Sequence, residues 1–340
     1  ISAAGNFDGN NIDTKNIIAI TSEANVDINE KSGYEVVKIS KEDNLFLTVR
    51  KYMTNNKNYL ILVDEALGAN FGRLVQLKSG LSEQQKSIFI VLTNQTPTQY
   101  KLQATHKIDK LSLSNVVGII PGKSLPNEYV IFSGHYDHLG VNGKRAVNGD
   151  SIYNGANDDA AGTTAMIMLS KYFSALANNE RTLVFAAFTA EESGGFGAQY
   201  FSKQFDPLQV KAMFNIEMIG TESKWGKNSA YITGYEKTDM GVILQKNLQG
   251  TDFQFHPDPY TDQNLFYRSD NATLARLGVP AHTISTSKMD NEPNYHKPSD
   301  EFSTLDIANM TQIIKAIAKS AQSIISGKDT PTRVDTTQLK

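Results

Sequence analysis

Tyr153-Asn154-Gly155-Ala156-Asn157-Asp158-Asp159-Ala160-Ala161-Gly162 sets two adjacent carboxylates between an Asn-Gly turn and an apolar helical pattern at Ala165, Met168, Leu169, Tyr172 and Leu176. Aspartate ahead of a helix ordinarily caps free N–H groups and suits the positive end of the helix dipole. Capping alone would account for the pair. The rest of the chain argues for more: His135 with Asp137, Glu191 with Glu192, Glu217 and His296 are residue types that bind zinc.

On both sides of this stretch, apolar runs alternate with amphipathic ones. Residues 116–120, 129–132, 183–188, 212–216 and 281–284 read as strands. Continuous apolar strands separated by helices predict an α/β fold, a mainly parallel mixed sheet sandwiched by helices. Such sheets bind ligands beyond the carboxyl ends of their strands. His135 follows the run 129–132, Glu191 follows 183–188 and Glu217 closes 212–216, so three candidate ligands fall at one edge.

Residues 1–112 repeat the alternation at 17–20, 34–39, 59–63 and 87–92, with helical patterns near 46–52 and 71–77, but carry no acidic or histidine cluster. They read as a smaller α/β accessory domain, residues 113–328 as the larger domain that carries the candidate ligands, and 329–340 as a loose polar tail. The closing helix is expected to be capped by Ser303 or Thr304. Its apolar face would be Ile307, Met310, Ile314, Ile317, Ala321 and Ile324, with Gly327 as its stop.

Composition narrows the function classes. With 40% hydrophobic residues the 340-residue chain can build real cores. A net charge of −3 and a pI near 6.1 leave no basic footprint for nucleic acid. No apolar run approaches a membrane span. The absence of cysteine removes disulfides, thiol catalysis and thiolate ligands, leaving His, Asp and Glu for a metal.

Each ligand cluster is a weak signal alone. In an extended chain residues i and i+2 share a face, so Asp137 can accept a hydrogen bond from the His135 imidazole and fix its metal-binding tautomer. His138 reads as a residue behind the ligands or on the surface. Glu191 and Glu192 stand at a strand-to-loop transition, where one can hold metal while the other works on water. Glu217 interrupts an apolar strand. A carboxylate buried there is costly without a partner, and a cation is such a partner.

In order along the chain, Gly134-His135-Tyr136-Asp137, Gly155-Ala156-Asn157-Asp158-Asp159, Glu191-Glu192, Asn215-Ile216-Glu217-Met218 and Tyr295-His296 resemble the metal motifs of the M28 family of zinc aminopeptidases, over roughly residues 113–326. The resemblance implies the zinc-exopeptidase fold and two zinc ions bridged by Asp158. One ion would be completed by Glu192 and His296, the other by His135 and Glu217. Glu191 would be the general base, Asp137 would orient His135, and the Asp158–Asp159 peptide would be cis. The substrate class would be peptides or proteins, hydrolysed from the amino end.

Two positions depart from the family pattern: Glu217 stands where Asp is commoner, and Asn271 where a histidine is frequent. Tyr267, in the same segment as Asn271, is the candidate to assist the oxyanion. Residues 1–112 resemble the protease-associated domain often inserted in these enzymes. Ile1 in place of an initiating Met is consistent with a removed leader, and family habit makes a periplasmic or extracellular location the expectation. Two other functions share the fold class. A single-zinc acyltransferase resembling glutaminyl cyclases is disfavoured by the complete second ligand set. A binding module resembling the transferrin receptor ectodomain is disfavoured because such relatives have lost ligands that this chain keeps.

Overall fold

The computed structural model describes residues 2–55, 57–78 and 86–339, in two units, Ile1–Ser112 and Leu113–Lys340. Among its described residues the first holds eight strands: β1 (Ser2–Phe7), β2 (Asn10–Asn11), β3 (Ile17–Ile20), β4 (Asn25–Asn29), β5 (Glu35–Ile39), β6 (Tyr59–Val63), β7 (Ile88–Leu92) and β8 (Tyr100–Thr105). They form an antiparallel sheet, β2-β1-β8-β4, and a mixed one, β3-β7-β6-β5, in which β5, β6 and β7 run parallel. Because side chains alternate along a strand, β6 is covered on both sides. Leu60 and Leu62 pack with Phe7 and Leu102 of the other sheet, while Ile61 and Val63 pack with Leu45 and Val49 of the helix Leu45–Met53.

The sequence reading found the mixed sheet and missed the antiparallel one. Strands β4 and β8 alternate buried and exposed residues, the mark of a sheet with one packed face. A strand with one packed face has no continuous apolar run to mark it. The helix expected at 71–77 is one short turn, Gly68–Phe71, running into the 3₁₀ segment Gly72–Lys78.

In the second unit the strands are β9 (Val116–Ile120), β10 (Leu125–His135), β11 (Gly140–Val141), β12 (Ile152–Tyr153), β13 (Arg181–Phe188), β14 (Val210–Ile216), β15 (Ser229–Ile232), β16 (Gln254–Pro257) and β17 (Ala281–Ser285). Seven of them make the sheet β16-β15-β17-β14-β10-β13-β9. Its centre, β17-β14-β10-β13, is parallel, and β9 and β15 pair antiparallel to their neighbours β13 and β17. Val130, Phe132, Phe185 and Phe214 face the helices Ala161–Leu176 and Ile307–Ser320, and Phe132 stacks between Phe173, Phe185 and Phe214 at 4.8–5.5 Å. Ile131, Val184 and Phe188 face the helices Phe196–Ser202 and Asn271–Ala275. The fold is the mainly parallel, helix-covered α/β sheet expected, with β15 and β16 added.

Four local expectations need correction. Strand β9 is an exposed antiparallel edge, not a buried run. Helix Ala161–Leu176 buries Ala165, Met166, Leu169 and Phe173 while Met168, Tyr172 and Leu176 are exposed, because apolar residues nearly all round it leave its periodicity ambiguous. The closing helix is capped by Asp306, whose carboxylate accepts from Asn309 N at 3.0 Å, since Phe302–Thr304 is its own 3₁₀ turn. Of the tail expected at 329–340, the described residues 329–339 are tied down rather than loose. The guanidinium of Arg181, buried at the start of β13, needs acceptors and finds them in Asp329 O (2.8 Å) and Thr330 Oγ1 (2.5 Å), and Val334 enters the core.

Candidate metal centre

Three parallel strands deliver the first candidate ligands. β10 ends on His135, β13 leads through Thr189 and Ala190 to Glu191 and Glu192, and β14 ends one residue before Glu217. The two aspartates at the head of the helix Ala161–Leu176 then divide the work. Asp159 is the structural one: its Oδ1 accepts from Gly162 N and Met218 N, both at 3.0 Å, and its Oδ2 from His135 N at 3.2 Å. Gly162 is required beside it, since a Cβ there would run into Ile216 O and both Asp159 oxygens. Asp158 caps nothing among the described residues. Its N–H and that of Asn157 donate to the Asp300 carboxylate at 3.0 and 2.8 Å, which fixes the turn and leaves the Asp158 carboxylate free. The Asp158–Asp159 peptide is cis.

Around that carboxylate, His135 Nε2 lies 3.2 Å from Oδ1 and His296 Nε2 3.3 Å from Oδ2; His296 Nε2 is also 3.1 Å from Glu192 Oε2. Two donor atoms on one tetrahedral zinc, at bonds of 2.0–2.1 Å, sit about 3.3 Å apart. His135 Nε2, Glu192 Oε1 and Glu217 Oε2 are buried without a hydrogen-bond partner. Donor atoms of His135, Asp158 and Glu217 lie within 4.8 Å of one another, as do those of His138, Asp158 and Glu192. Orphaned imidazole and carboxylate atoms converging on two points, with no thiolate, suit zinc.

Charge tells the same story. Burial raises the Glu217 carboxyl, and burial followed by the neighbouring Glu217 pushes Glu191 up to about 9. The rings answer in the opposite sense: Asp158 and Glu192 beside it push His296 up to about 9. Burial also works against ionisation of Asp158, but His135 and His296 outweigh it and hold that carboxyl below the usual range. Crowded carboxylates that pull protons onto their neighbours would be satisfied by a divalent cation. Backbone strain gathers here as well. Ala190, Met218 and His296 are non-glycine residues at φ of 56°, 54° and 54°, each at or next to a ligand or Glu191.

The structure thus brings together His135, Asp158, Glu192, Glu217 and His296, with Glu191 alongside. Asp137 is present in a different role from the one expected. The His135 Nδ1 contact is to the backbone carbonyl of Asp137 (3.0 Å), while the carboxylate is 3.7 Å away and accepts instead from Glu191 N at 3.1 Å. The chain turns at the end of β10, so the i and i+2 side chains no longer share a face.

Tyr267 ends the 3₁₀ turn Leu265–Tyr267 and packs against Phe266 (5.2 Å), with Lys237 and Arg276 over its ring, in the apolar cluster of Leu274 and Val279. A 3₁₀ turn swings successive side chains about a third of a revolution. Arg268 and Ser269 therefore line the pocket beside Glu217 with two tyrosines, Tyr231, whose hydroxyl donates to Ser287 O, and Tyr295, stacked on His296 at 3.9 Å. Asn271 is structural, donating to Phe266 O and Ala281 O and accepting from Thr283 Oγ1. The side chain of His138, 7% exposed, stands beside Glu192, the first of the two places expected for it rather than the second. No local sequence pattern marks Asp270 or Asp300. Both Asp270 oxygens are buried without a partner and burial pushes its carboxyl up to about 7.

The sequence model of peptidase family M28 matches residues 115–321. The chain belongs to peptidase family M28. Among curated relatives, a probable leucine aminopeptidase of Trichophyton verrucosum is 30% identical over 220 residues, 62% of this chain and 57% of that protein. A probable leucine aminopeptidase of Arthroderma benhamiae is 29% identical over 59% of this chain and 54% of its own length. The chain spans about half the length of the curated relatives it matches. The solved aminopeptidase from Aneurinibacillus sp. strain AM-1 superposes with a TM-score of 0.52 at 16% identity, over 99% of this chain and 83% of its own, a likeness of fold. M28 membership and the donor set together make zinc the metal of this centre.

Proposed function

We propose that the chain is a zinc-dependent aminopeptidase that removes residues from the amino end of peptides or proteins with two zinc ions sharing Asp158. The supporting observation is the set of orphaned donor atoms around that carboxylate. His135, Asp158 and Glu217 would hold one ion; Asp158, Glu192 and His296 the other. When bound, zinc acidifies water and polarises the peptide carbonyl.

The chain's own residues do the rest. Glu191 takes a proton from the attacking water onto its carboxylate and returns it to the leaving amine. Asp137 Oδ1, holding Glu191 N, fixes where that proton is taken. In the bare cluster Glu191 is pushed up to about 9 by burial and by Glu217. Positive charge nearby lowers it, so it becomes a base at neutral pH. Tyr295, pushed up to about 12 by burial, stays protonated beside the site and can donate to the oxyanion.

Zinc per chain by elemental analysis, beside hydrolysis of free-amine and amino-blocked peptides, tests the reading. Two zinc ions and cleavage of free-amine substrates only are expected. Cleavage of blocked substrates, or one zinc with full activity, would overturn it. The same proposal reads residues 1–112 as a protease-associated accessory domain and the protein as exported; detection only in the cytoplasm of the native cell would remove the second part.

A further inference from the structure

We infer that His138 is a positioning residue, holding Glu192 in the orientation that the second zinc requires. The inference rests on the two-ion reading above. The two oxygens of Glu192 face different imidazoles: Oε2 is 3.1 Å from His296 Nε2, on the side of Asp158, and Oε1 is 2.8 Å from His138 Nδ1. If Oε2 joins His296 and Asp158 on the ion, Oε1 is left as a buried acceptor, and the described residues give it no hydrogen bond. A buried unsatisfied carboxylate oxygen is unfavourable. The nearest donor is His138 Nδ1, already in range but off the line of a hydrogen bond, with neither ring nitrogen engaged elsewhere. A small rotation of the ring completes the contact.

The surroundings keep the ring in that place. The side chains of His138 and Glu192 are 7% and 8% exposed, so solvent does not compete. The rings of His138 and His296 meet edge to face at 5.7 Å. Gly155, at φ 64°, makes the seat: a Cβ there would stand 2.6 Å from His138 Cγ and 2.8 Å from its Cβ. The Asn-Gly turn ahead of the aspartates is thus shaped around His138 as well as around Asp158. Partners behind metal ligands fix ligand orientation and raise metal affinity.

The test is a zinc titration of the whole chain against a chromophoric chelator, on the unmodified protein, His138→Ala and His138→Gln, with thermal melting to confirm folding. Two sites in the unmodified chain are the precondition; fewer would defeat the two-ion reading and leave His138 without a ligand to position. His138→Ala is expected to weaken the second site by about 10- to 100-fold and leave the first unchanged. His138→Gln, whose amide N–H can donate to Oε1, is expected to recover most of that affinity. If His138→Ala binds both ions as the unmodified chain does, His138 positions nothing. If Gln is as damaging as Ala and the visible spectrum of the cobalt-substituted protein also changes, the ring is itself a ligand. Either result overturns the inference.

Discussion

Among the described residues are two sheets with a parallel core, and only one of them has a candidate metal centre at its carboxyl edge. In the first unit β6 is followed by Asp64, whose carboxylate accepts from Ala66 N at 2.8 Å, and β7 leads to Asn94, which accepts from Glu65 N at 3.1 Å and donates to Glu65. Those polar side chains are satisfied by backbone and side-chain groups of the two loops that follow β6 and β7. In the second unit β10, β13 and β14 lead to His135, Glu192 and Glu217, each with a buried donor atom that makes no hydrogen bond among the described residues. Both units have continuous apolar strands between helices. The sheet therefore does not make the site; unsatisfied donors converging at its edge do.

The largest expected effect comes from removing the residue on which that contrast depends. Asp158→Ala takes away the carboxylate that faces both His135 and His296. Zinc should fall well below two per chain and peptidase activity should disappear, while the fold survives, because the structural hydrogen bonds belong to Asp159. Elemental analysis and circular dichroism read the two parts. A folded Asp158→Ala protein with two zinc ions would break the contrast.

Glu191→Gln comes next. Its backbone is held by Asp137 and its carboxylate is assigned to proton transfer rather than to metal, so both zinc ions should stay. Removing a general base typically costs about 10²- to 10⁴-fold in rate, and kcat should fall on that scale with KM little altered. Loss of zinc in this variant would make Glu191 a ligand, and an unchanged kcat would remove it from the chemistry.

How far such residues were legible follows from what one-dimensional order can carry. Central strands are readable because burial on both faces forces continuous apolar runs. The ligands are readable because their types recur at the ends of those runs. The site's inner geometry is not. The turn after β10 replaces the Asp137 carboxylate with its carbonyl as the partner of His135, and the 3₁₀ turn at 265–267 sends Tyr267 away while bringing Arg268 and Ser269 in. Asp300 reaches Asp158 N from 142 residues away, and no local pattern announces it. Asp159 and Asp158 look alike in sequence, and only the hydrogen bonds show that one caps and the other is free.

The smallest expected effect sharpens the contrast from the opposite side. Asp64→Ala removes a carboxylate placed after β6 much as Glu217 is placed after β14, but one that caps the turn Glu65–Leu67. Loss of such a cap costs about 1 kcal/mol. Urea denaturation should show a shift of that order, with zinc content and kcat unchanged. The two carboxylates would then differ as their partners do: Asp64 answers to a backbone N–H and contributes stability, while Glu217 lacks a hydrogen-bond partner at Oε2 and is left as a candidate ligand. If Asp64→Ala lowered zinc content instead, polar residues at the strand ends of the first unit would be serving the second, and satisfaction by local hydrogen bonds would no longer separate structural carboxylates from functional ones.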